Sequence, residues 1–270
     1  MPLLNRYSVL EIQDRGPLIT VGTRINFDII KDNYQYSNKG IINVYNLTRN
    51  SNALIKSETS MYNLKIGYEN EVPRSLFIFQ RDVQNGIHTD RKGPDVITKI
   101  EGGDAETAIK NIYTSSFKDA VNSEVIVSRC IDVLKGGGIS LGHMTGSIEY
   151  KVINNGFTAM TPVINVLNEM ADINDFEWFI QDNELFILKR EETIPVSVTI
   201  DRENGLIGSV VKSTKKVEFT TWANTELKIG GLVILKSEIL GELRLKLLRV
   251  HHVGDSWEGP WESRCEGMPL

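Results

Sequence analysis

The chain has 270 residues, 41% of them apolar, and a formal net charge of −5. That length admits two or three modest domains with ordinary cores. Its well-mixed charges exclude the basic stripe by which proteins grip phosphate backbones. The nearest approach, Lys212, Lys215 and Lys216, is short and reads as a solvated strand edge whose lysines deter unwanted pairing. No apolar run approaches the roughly 18 residues needed to span a bilayer. The opening Met1-Pro2-Leu3-Leu4-Asn5-Arg6-Tyr7 lacks a charged leader with an apolar h-region, so no signal peptide is expected. Cys130 and Cys265 make no disulfide framework and read as small buried apolar residues, which fits a protein made in the cytosol.

Strand signals fill the first hundred residues. Ile25, Phe27 and Ile29 alternate with polar neighbours and share one face. A polar turn over residues 33–39 leads to Gly40-Ile41-Ile42-Asn43-Val44-Tyr45, which Asn46-Leu47-Thr48 ends. Thr48 suits the cap of a short helix reaching Ile55, with Leu54 and Ile55 inward. Tyr62, Leu64, Ile66 and Tyr68 form a third alternating run, in which Gly67 hints at a bulge. Runs at residues 76–79, 86–89 and 95–100, with turns at Asn85-Gly86 and Gly93-Pro94, complete a meander. This turn density predicts a barrel or sandwich.

At Gly102-Gly103-Asp104 the period changes. Asp104 reads as an N-cap, with Ala105, Ala108, Ile109, Ile112 and Tyr113 at helical spacing. Ser123 opens a second helix, with Val127, Cys130, Ile131 and Leu134 on one stripe and Gly136-Gly137-Gly138 stopping it. Thr161-Pro162 starts a third, running through Val163, Val166, Leu167 and Met170. Phe176-Glu177-Trp178-Phe179-Ile180, a turn at Asp182-Asn183, and Leu185-Phe186-Ile187-Leu188 then form a hairpin.

Strands return after residue 200. In Asn204-Gly205-Leu206-Ile207-Gly208-Ser209 two glycines bracket an apolar pair, a pattern suited to a turn or a close backbone approach. Val217, Phe219 and Thr221 share a face, and Leu232-Val233-Ile234-Leu235 is an apolar run. Residues 243–253 set Leu243, Leu245 and Leu247 against Arg244 and Lys246, before a turn at Gly254-Asp255; Trp257 and Trp261 flank Gly259-Pro260. The expected class is mainly β with an α+β insert: antiparallel β-barrel units at residues 1–102 and 201–270, flanking a small α+β spacer at 103–200. The four-residue echo of Leu64-Lys65-Ile66-Gly67 in Leu227-Lys228-Ile229-Gly230 is what chance provides and implies no repeat.

Chemistry-bearing residues do not assemble into a site. His251 and His252 point to opposite faces of a strand and do not share a metal; one reads as core-facing and the other as solvated. His252 with Asp255 has the residue types of a ligand pair or of a base and its orienter, and His88 with Asp90 shares a strand face without a third ligand nearby. The glycine-rich loop at 136–142 follows a helix and lacks the Gly-Lys-Ser/Thr ending of a phosphate loop. Asp172 and Asp175 sit in a helix-to-strand turn, where acids serve conformation. No catalytic, cofactor-binding or metal-binding residue is expected, and no cofactor. Trp222, Trp257 and Trp261 offer faces for stacking on sugar rings; against this, Trp257 and Trp261 read as locking the last turn onto its barrel.

Taken in order, these runs resemble the baseplate hub proteins of contractile-tailed bacteriophages, the family that includes the phage Mu hub. The carriers in the first unit are Phe27-Asp28-Ile29, the run from Gly40 to Thr48, Leu64-Lys65-Ile66-Gly67-Tyr68, Ile78-Phe79-Gln80-Arg81-Asp82-Val83 and Ile100-Glu101-Gly102-Gly103-Asp104. In the last unit they are Gly205-Leu206-Ile207-Gly208-Ser209, Leu248-Arg249-Val250-His251-His252-Val253-Gly254-Asp255 and Trp261-Glu262-Ser263. The resemblance implies a homotrimeric ring whose protomers each carry two tail-tube-like barrels, so that three copies present six similar units. Such a ring joins a six-fold tail tube, or a tube-initiator protein, to a three-fold central spike, with baseplate wedge proteins as further neighbours. DNA would pass its lumen without specific binding, in keeping with the net acidity. The implied protein is non-enzymatic, sits in the virion tail baseplate, is assembled in the host bacterial cytoplasm and does not insert in membranes. The short chain implies that spike and lysin are separate polypeptides. Alternatives are a tail lysin using His252 and Asp255 on an all-β scaffold, a carbohydrate-binding adsorption protein using Trp257 and Trp261, and the hub of a non-contractile tail or tailocin.

Overall fold

The computed structural model describes residues 5–12, 16–19, 23–33, 37–57, 61–68, 71–81 and 86–270. The first group of elements is β1 (Arg6–Ile12), β2 (Gly16–Ile19), β3 (Ile25–Asp32), β4 (Lys39–Tyr45), α1 (Arg49–Ser57), β5 (Met61–Tyr68), β6 (Arg74–Arg81), β7 (Ile87–Lys92) and β8 (Asp95–Gly103). Alternation sets the faces: Ile25, Phe27, Ile29, Ile42, Val44, Tyr62, Leu64 and Ile66 turn inward and share one core with Phe77 and Phe79. Thr48 Oγ1 accepts the Ser51 amide at 3.1 Å, capping α1 as the sequence predicts, and Ile55 is fully buried.

The strand order departs from a meander. It runs β3-β4-β8-β6-β5-β1-β2, so β4 pairs with β8 in place of its chain neighbour β5. β6 meets β8 through Gln80↔Gly103 and Arg81↔Gly102. Only glycine fits there, because a Cβ on Gly102 would lie 2.1 Å from the Gln80 carbonyl oxygen. The irregularity expected at Gly67 falls between Leu64 and Lys65, where the register with β6 shifts. Residues 1–4, 34–36, 82, 83 and 85, which carry parts of the expected N-terminus, of two turns and of the run from Ile78 to residue 83, lie outside the described residues.

The second group is β9 (Ile112–Phe117), β10 (Val121–Asn122), α2 (Ser123–Gly136), β11 (Ser140–Met144), β12 (Val152–Ile153), β13 (Phe157–Pro162), α3 (Val163–Asn174), β14 (Phe176–Gln181) and β15 (Glu184–Lys189). The helix expected over residues 105–113 is corrected to a short 3-10 turn, Ala108–Lys110, followed by β9. Ala105 has φ 59°, which no helix start adopts, and the Asp104 carboxylate is taken by Asn38 and Asp182 rather than by the turn after it. Asn122 caps α2 by accepting the Glu124 amide at 2.9 Å, and α3 starts one residue past Pro162. β9 pairs β13, β10 pairs β12, and β11 runs parallel to β15, beside β14. α2 and α3 pack Ile126, Val127, Cys130, Val166, Leu167 and Met170 into one core with Trp178, Ile180, Leu185 and Ile187.

The last group is β16 (Ser197–Ile200), β17 (Leu206–Lys212), β18 (Val217–Trp222), β19 (Leu232–Ser237), β20 (Gly241–Asp255) and β21 (Trp261–Pro269). β20 is 15 residues long and serves three partners. Its start pairs β19, its middle and end pair β21, and its last seven residues, from Arg249 to Asp255, pair β3 of the first group. The first and last groups therefore share a single 14-stranded sheet, β17-β18-β21-β20-β3-β4-β8-β6-β5-β1-β2, with β7 branching from β8 and β19-β16 from β20. The pairings trace an open path, and no closed barrel is detected among the described residues. Lys246, expected on the solvent side of β20, is fully buried: its Nζ donates to the Arg190 carbonyl at 2.8 Å and pairs with Glu177, because the β14–β15 hairpin covers that face.

Candidate functional site

The three groups meet at the tip of the β14–β15 hairpin. Asp182 and Asn183 have φ 53° and 63°, as a two-residue turn matching the right-handed strand twist requires, and Asp and Asn tolerate that region best among side-chain-bearing residues. Both faces of the hairpin are used. Trp178, Ile180, Leu185 and Ile187 enter the core of the second group, while Phe179, Phe186 and Leu188 enter that of the last.

The tip seats in a polar knot. Asp182 Oδ1 accepts from Lys31 Nζ at 2.8 Å and from the Ile78 amide at 3.3 Å, while Oδ2 accepts from Lys228 Nζ at 2.6 Å. The Asp182 amide donates to Asp104 Oδ2 at 2.9 Å. Asp104 also accepts from the Asn38 amide at 2.7 Å and from Asn38 Nδ2 at 2.8 Å; Nδ2 reaches the Ile180 carbonyl as well, at 2.9 Å. Each group contributes: Lys31 and Asn38 from the first, Asp104 and Asp182 from the second, Lys228 from the last.

Burial sets the electrostatics. It opposes charge on Asp182, but the ammonium groups of Lys31 and Lys228 outweigh it and hold the carboxyl down at about 2. Lys31, 2% exposed, is lowered from the ordinary lysine value by burial, against the pull of Asp182. Burial pushes Asp104 up to about 7, against the hydrogen bonds from Asn38 and helped by the Asp182 charge. His252, close by and 1% exposed, is driven well below the usual histidine range by burial and then by Lys31, so it stands neutral, with Nδ1 2.8 Å from Ser263 Oγ. Two cations and two carboxyls fixed in this way set orientation; a buried ionic knot contributes more to specificity of docking than to net stability.

The residues singled out from sequence scatter elsewhere. His251 bonds Asp28 at 2.9 Å on the surface, while Asp255 binds Arg24 at 2.8 Å and accepts the Trp257 amide at 3.0 Å, so His252 and Asp255 serve separate partners. His88 and Asp90 lie on an exposed face. Asp172 and Asp175 both face Arg190, at 3.9 and 3.0 Å. Gly137 closes α2 by donating to the Leu134 carbonyl. Cys130 and Cys265 are buried and free, and burial raises both thiols, Cys130 to about 12. Trp261 packs edge-on against Phe27 at 5.3 Å, in the core of the first group rather than that of its own unit, and Trp257 is 64% exposed, so neither locks the turn onto its own barrel as expected. Among the described residues no group of three or more His, Cys, Asp or Glu is placed to hold a metal. No described helix is long and apolar enough to cross a membrane.

The knot itself was missed from sequence. Its clearest signal was Lys31, which falls in phase with Ile25, Phe27 and Ile29 on the inward face of β3.

Residues 7–243 match the family model described as baseplate hub gp41. A search of curated proteins finds no match. Among solved structures, the chain is similar to the 43 kDa tail protein of prophage MuSo2 from Shewanella oneidensis, at 12% identity and TM-score 0.64, covering 97% of this chain and 98% of that one. It is also similar to a tail protein of Neisseria meningitidis MC58, at 7% identity and TM-score 0.60, covering 98% and 96%. A third is an E. coli component of the type VI secretion system, described as structurally similar to the T4 bacteriophage tail proteins gp27 and gp5, at 7% identity and TM-score 0.61, covering 97% and 76%. At these identities the likeness concerns the fold, and the family match carries the assignment: the chain belongs to the baseplate hub gp41 family, structural proteins of the phage tail baseplate.

Proposed function

We propose that three copies of this chain form a ring at the centre of the baseplate, adapting a six-fold tail tube or tube initiator on one side to a three-fold spike on the other. Residues 1–102 and 201–270 act as two tube-like β-barrel units and residues 103–200 as the spacer between them. The observation that carries this reading is the junction of β20 with β3, where two β groups, each with its own core apart from Ala223 and Trp261 of the last group lodged in the first, are joined edge to edge inside one chain. A protomer built in this way presents two neighbouring units along an arc, and a closed ring of three then presents six. Similarity in fold to a protein likened to the T4 tail proteins gp27 and gp5 fits a place in the tail, and the proposed arrangement puts the spike below and wedge proteins outside. The net charge of −5 suits a lumen along which DNA slides without adhering. The role is structural rather than catalytic, and assembly takes place in the host cytoplasm.

Light scattering on the purified chain, followed by imaging of assembled particles, tests the proposal. A trimeric mass or a three-fold ring at the tube end supports it. A monomer that also occupies no three-fold position in the particle overturns it.

A further inference from the structure

We propose that the cleft between the first and last β groups is a saccharide-binding site. It lies where the ends of β5 and β6 meet the end of β18 and encloses about 600 Å³, with Tyr68, Arg74, Trp222, Asn224, Thr225 and Glu226 on its walls. Clefts of roughly 300–1,000 Å³ at the joint between structural units are the common setting for small-molecule sites.

The aromatic wall is built rather than incidental. Gly205, at φ 97°, lies against the indole of Trp222, and a Cβ there would stand 3.2 Å from two of its ring carbons. This is the close backbone approach that the two-glycine pattern implies. The Trp222 amide and the Thr221 hydroxyl both donate to the Gly205 carbonyl, each at 3.0 Å, so the ring sits on a fixed strand end. The polar wall is ordered too: the Asn224 amide donates to Ser263 Oγ at 3.2 Å, and the Glu226 amide donates to Asn224 Oδ1 at 2.8 Å.

The charges narrow the ligand. Arg74 and Glu226 pair with each other across the rim and Glu71 adds a second carboxylate, so an anion meets no unopposed cation there. An uncharged ring with an apolar C–H face and a fringe of hydroxyls satisfies both walls. The face lies on indole and phenol, and the hydroxyls meet amide, hydroxyl and carboxylate. A short run of pyranose rings has that chemistry, whether it comes from a cell-wall glycan or from a surface polysaccharide. The site involves neither Trp257 nor Trp261 and does not depend on the ring assembly.

Calorimetric titration of the intact chain with tri-N-acetylglucosamine, and separately with maltotriose, tests the site. Saturable binding is expected for at least one of them, weakened about tenfold or more by Trp222→Ala and measurably by Glu226→Gln. Binding of the first assigns an N-acetylated cell-wall source; binding of maltotriose alone assigns an unacetylated polysaccharide. Glu226→Gln, an exposed change, decides the matter if Trp222→Ala does not fold. The proposal is overturned if neither sugar binds, or if binding is unchanged in both variants. It is equally overturned if neither sugar binds and Trp222 becomes shielded from acrylamide quenching only on self-association, which would make the cleft a protein contact.

Discussion

The β14–β15 hairpin meets its two neighbours through different chemistry. Toward the last β group its aromatic face is dry: Phe179, Phe186 and Leu188 share a core with Ile229, Val233, Leu235 and Leu245, and the Phe179 and Phe186 rings stack at 5.3 Å, although Lys246 also pairs with Glu177 and Lys228 with Asp182. Toward the first group it is polar. Lys31 reaches Asp182 and Asn38 reaches the Ile180 carbonyl, and beside the hairpin Thr107 Oγ1, from the turn before β9, donates to Gln80 Oε1 at 3.1 Å. A cleft of about 580 Å³ also opens on this side, lined by Tyr62, Gln80, Thr107 and Asn183 among others. Apolar burial supplies undirected attraction, whereas an ion pair with fixed hydrogen bonds supplies orientation. The second group is thus held by one neighbour and aimed by the other.

Variants break or sharpen this contrast. Phe179→Ala opens a cavity on the dry side, because Phe179 is 1% exposed, and is expected to cost roughly 3–5 kcal/mol in urea unfolding. Amide exchange should quicken in β14, β19 and β20 and hardly change in β5 or β6. Asp182→Asn keeps the turn conformation but strands the ammonium of Lys31. It is expected to cost roughly 3 kcal/mol, the low end for a broken buried pair, because Lys228 is 32% exposed and turns to water. Its exchange signature should appear in β3 and β6. A cost equal to that of an exposed pair would remove the contrast.

pH probes the aiming side. The folded-state value of Asp104 is raised from 3.8 to about 7, so its contribution is fully present below about pH 4 and is lost as pH rises through about 7. Asp182, lowered to about 2, works in the opposite direction, its contribution being present above about pH 4 and lost as pH falls through about 2. Between about pH 4 and 7 Asp104 therefore pulls the urea midpoint down as pH rises, while His252, held neutral in the fold, pulls it up, so the Asp104 part is read as the difference between the native chain and a variant lacking that carboxyl. Asp104→Asn sets an NH2 against one of the three donors that Asp104 accepts, and it removes the downward part, so its midpoint should climb more steeply with pH than that of the native chain. An unchanged slope would place the titration elsewhere. Smallest of all, Thr107→Val removes a hydrogen bond at an exposed spot and is expected to cost about 1 kcal/mol or less by thermal melting.

What the sequence disclosed follows the range of the interaction involved. The faces of β3, β5 and β18, the cap at Thr48 and the Asp182-Asn183 turn are local matters of period and φ, and all were legible. The helix expected after Asp104 failed because that carboxylate answers Asn38, far back in the chain, and Ala105 turns left-handed to allow it. β9 and β13 alternate in burial, but Ser115 and Ala159 sit on their inward side while Ile112 and Met160 face out, so no apolar period marks them, and β10 and β12 have two residues each. Lys31 and Lys246 look alike as lysines within apolar strands, but only Lys31 stands in phase with its inward neighbours. Lys246 is buried by the hairpin that lies over it, which no pattern inside β20 records. The resemblance to phage hubs came from the order of many weak runs, and the family match agrees with it.

The reach of β20 has a temporal consequence. β3 emerges early from the ribosome, while the strand that covers its outer edge, Arg249 to Asp255, is synthesised only after most of the chain. Until then the first β group carries an exposed row of backbone donors and acceptors, a hazard for sticking to other nascent copies. Synthesis through Asp255 is therefore what caps that edge, and a partner binding at β3 beforehand would compete with residues 249–255.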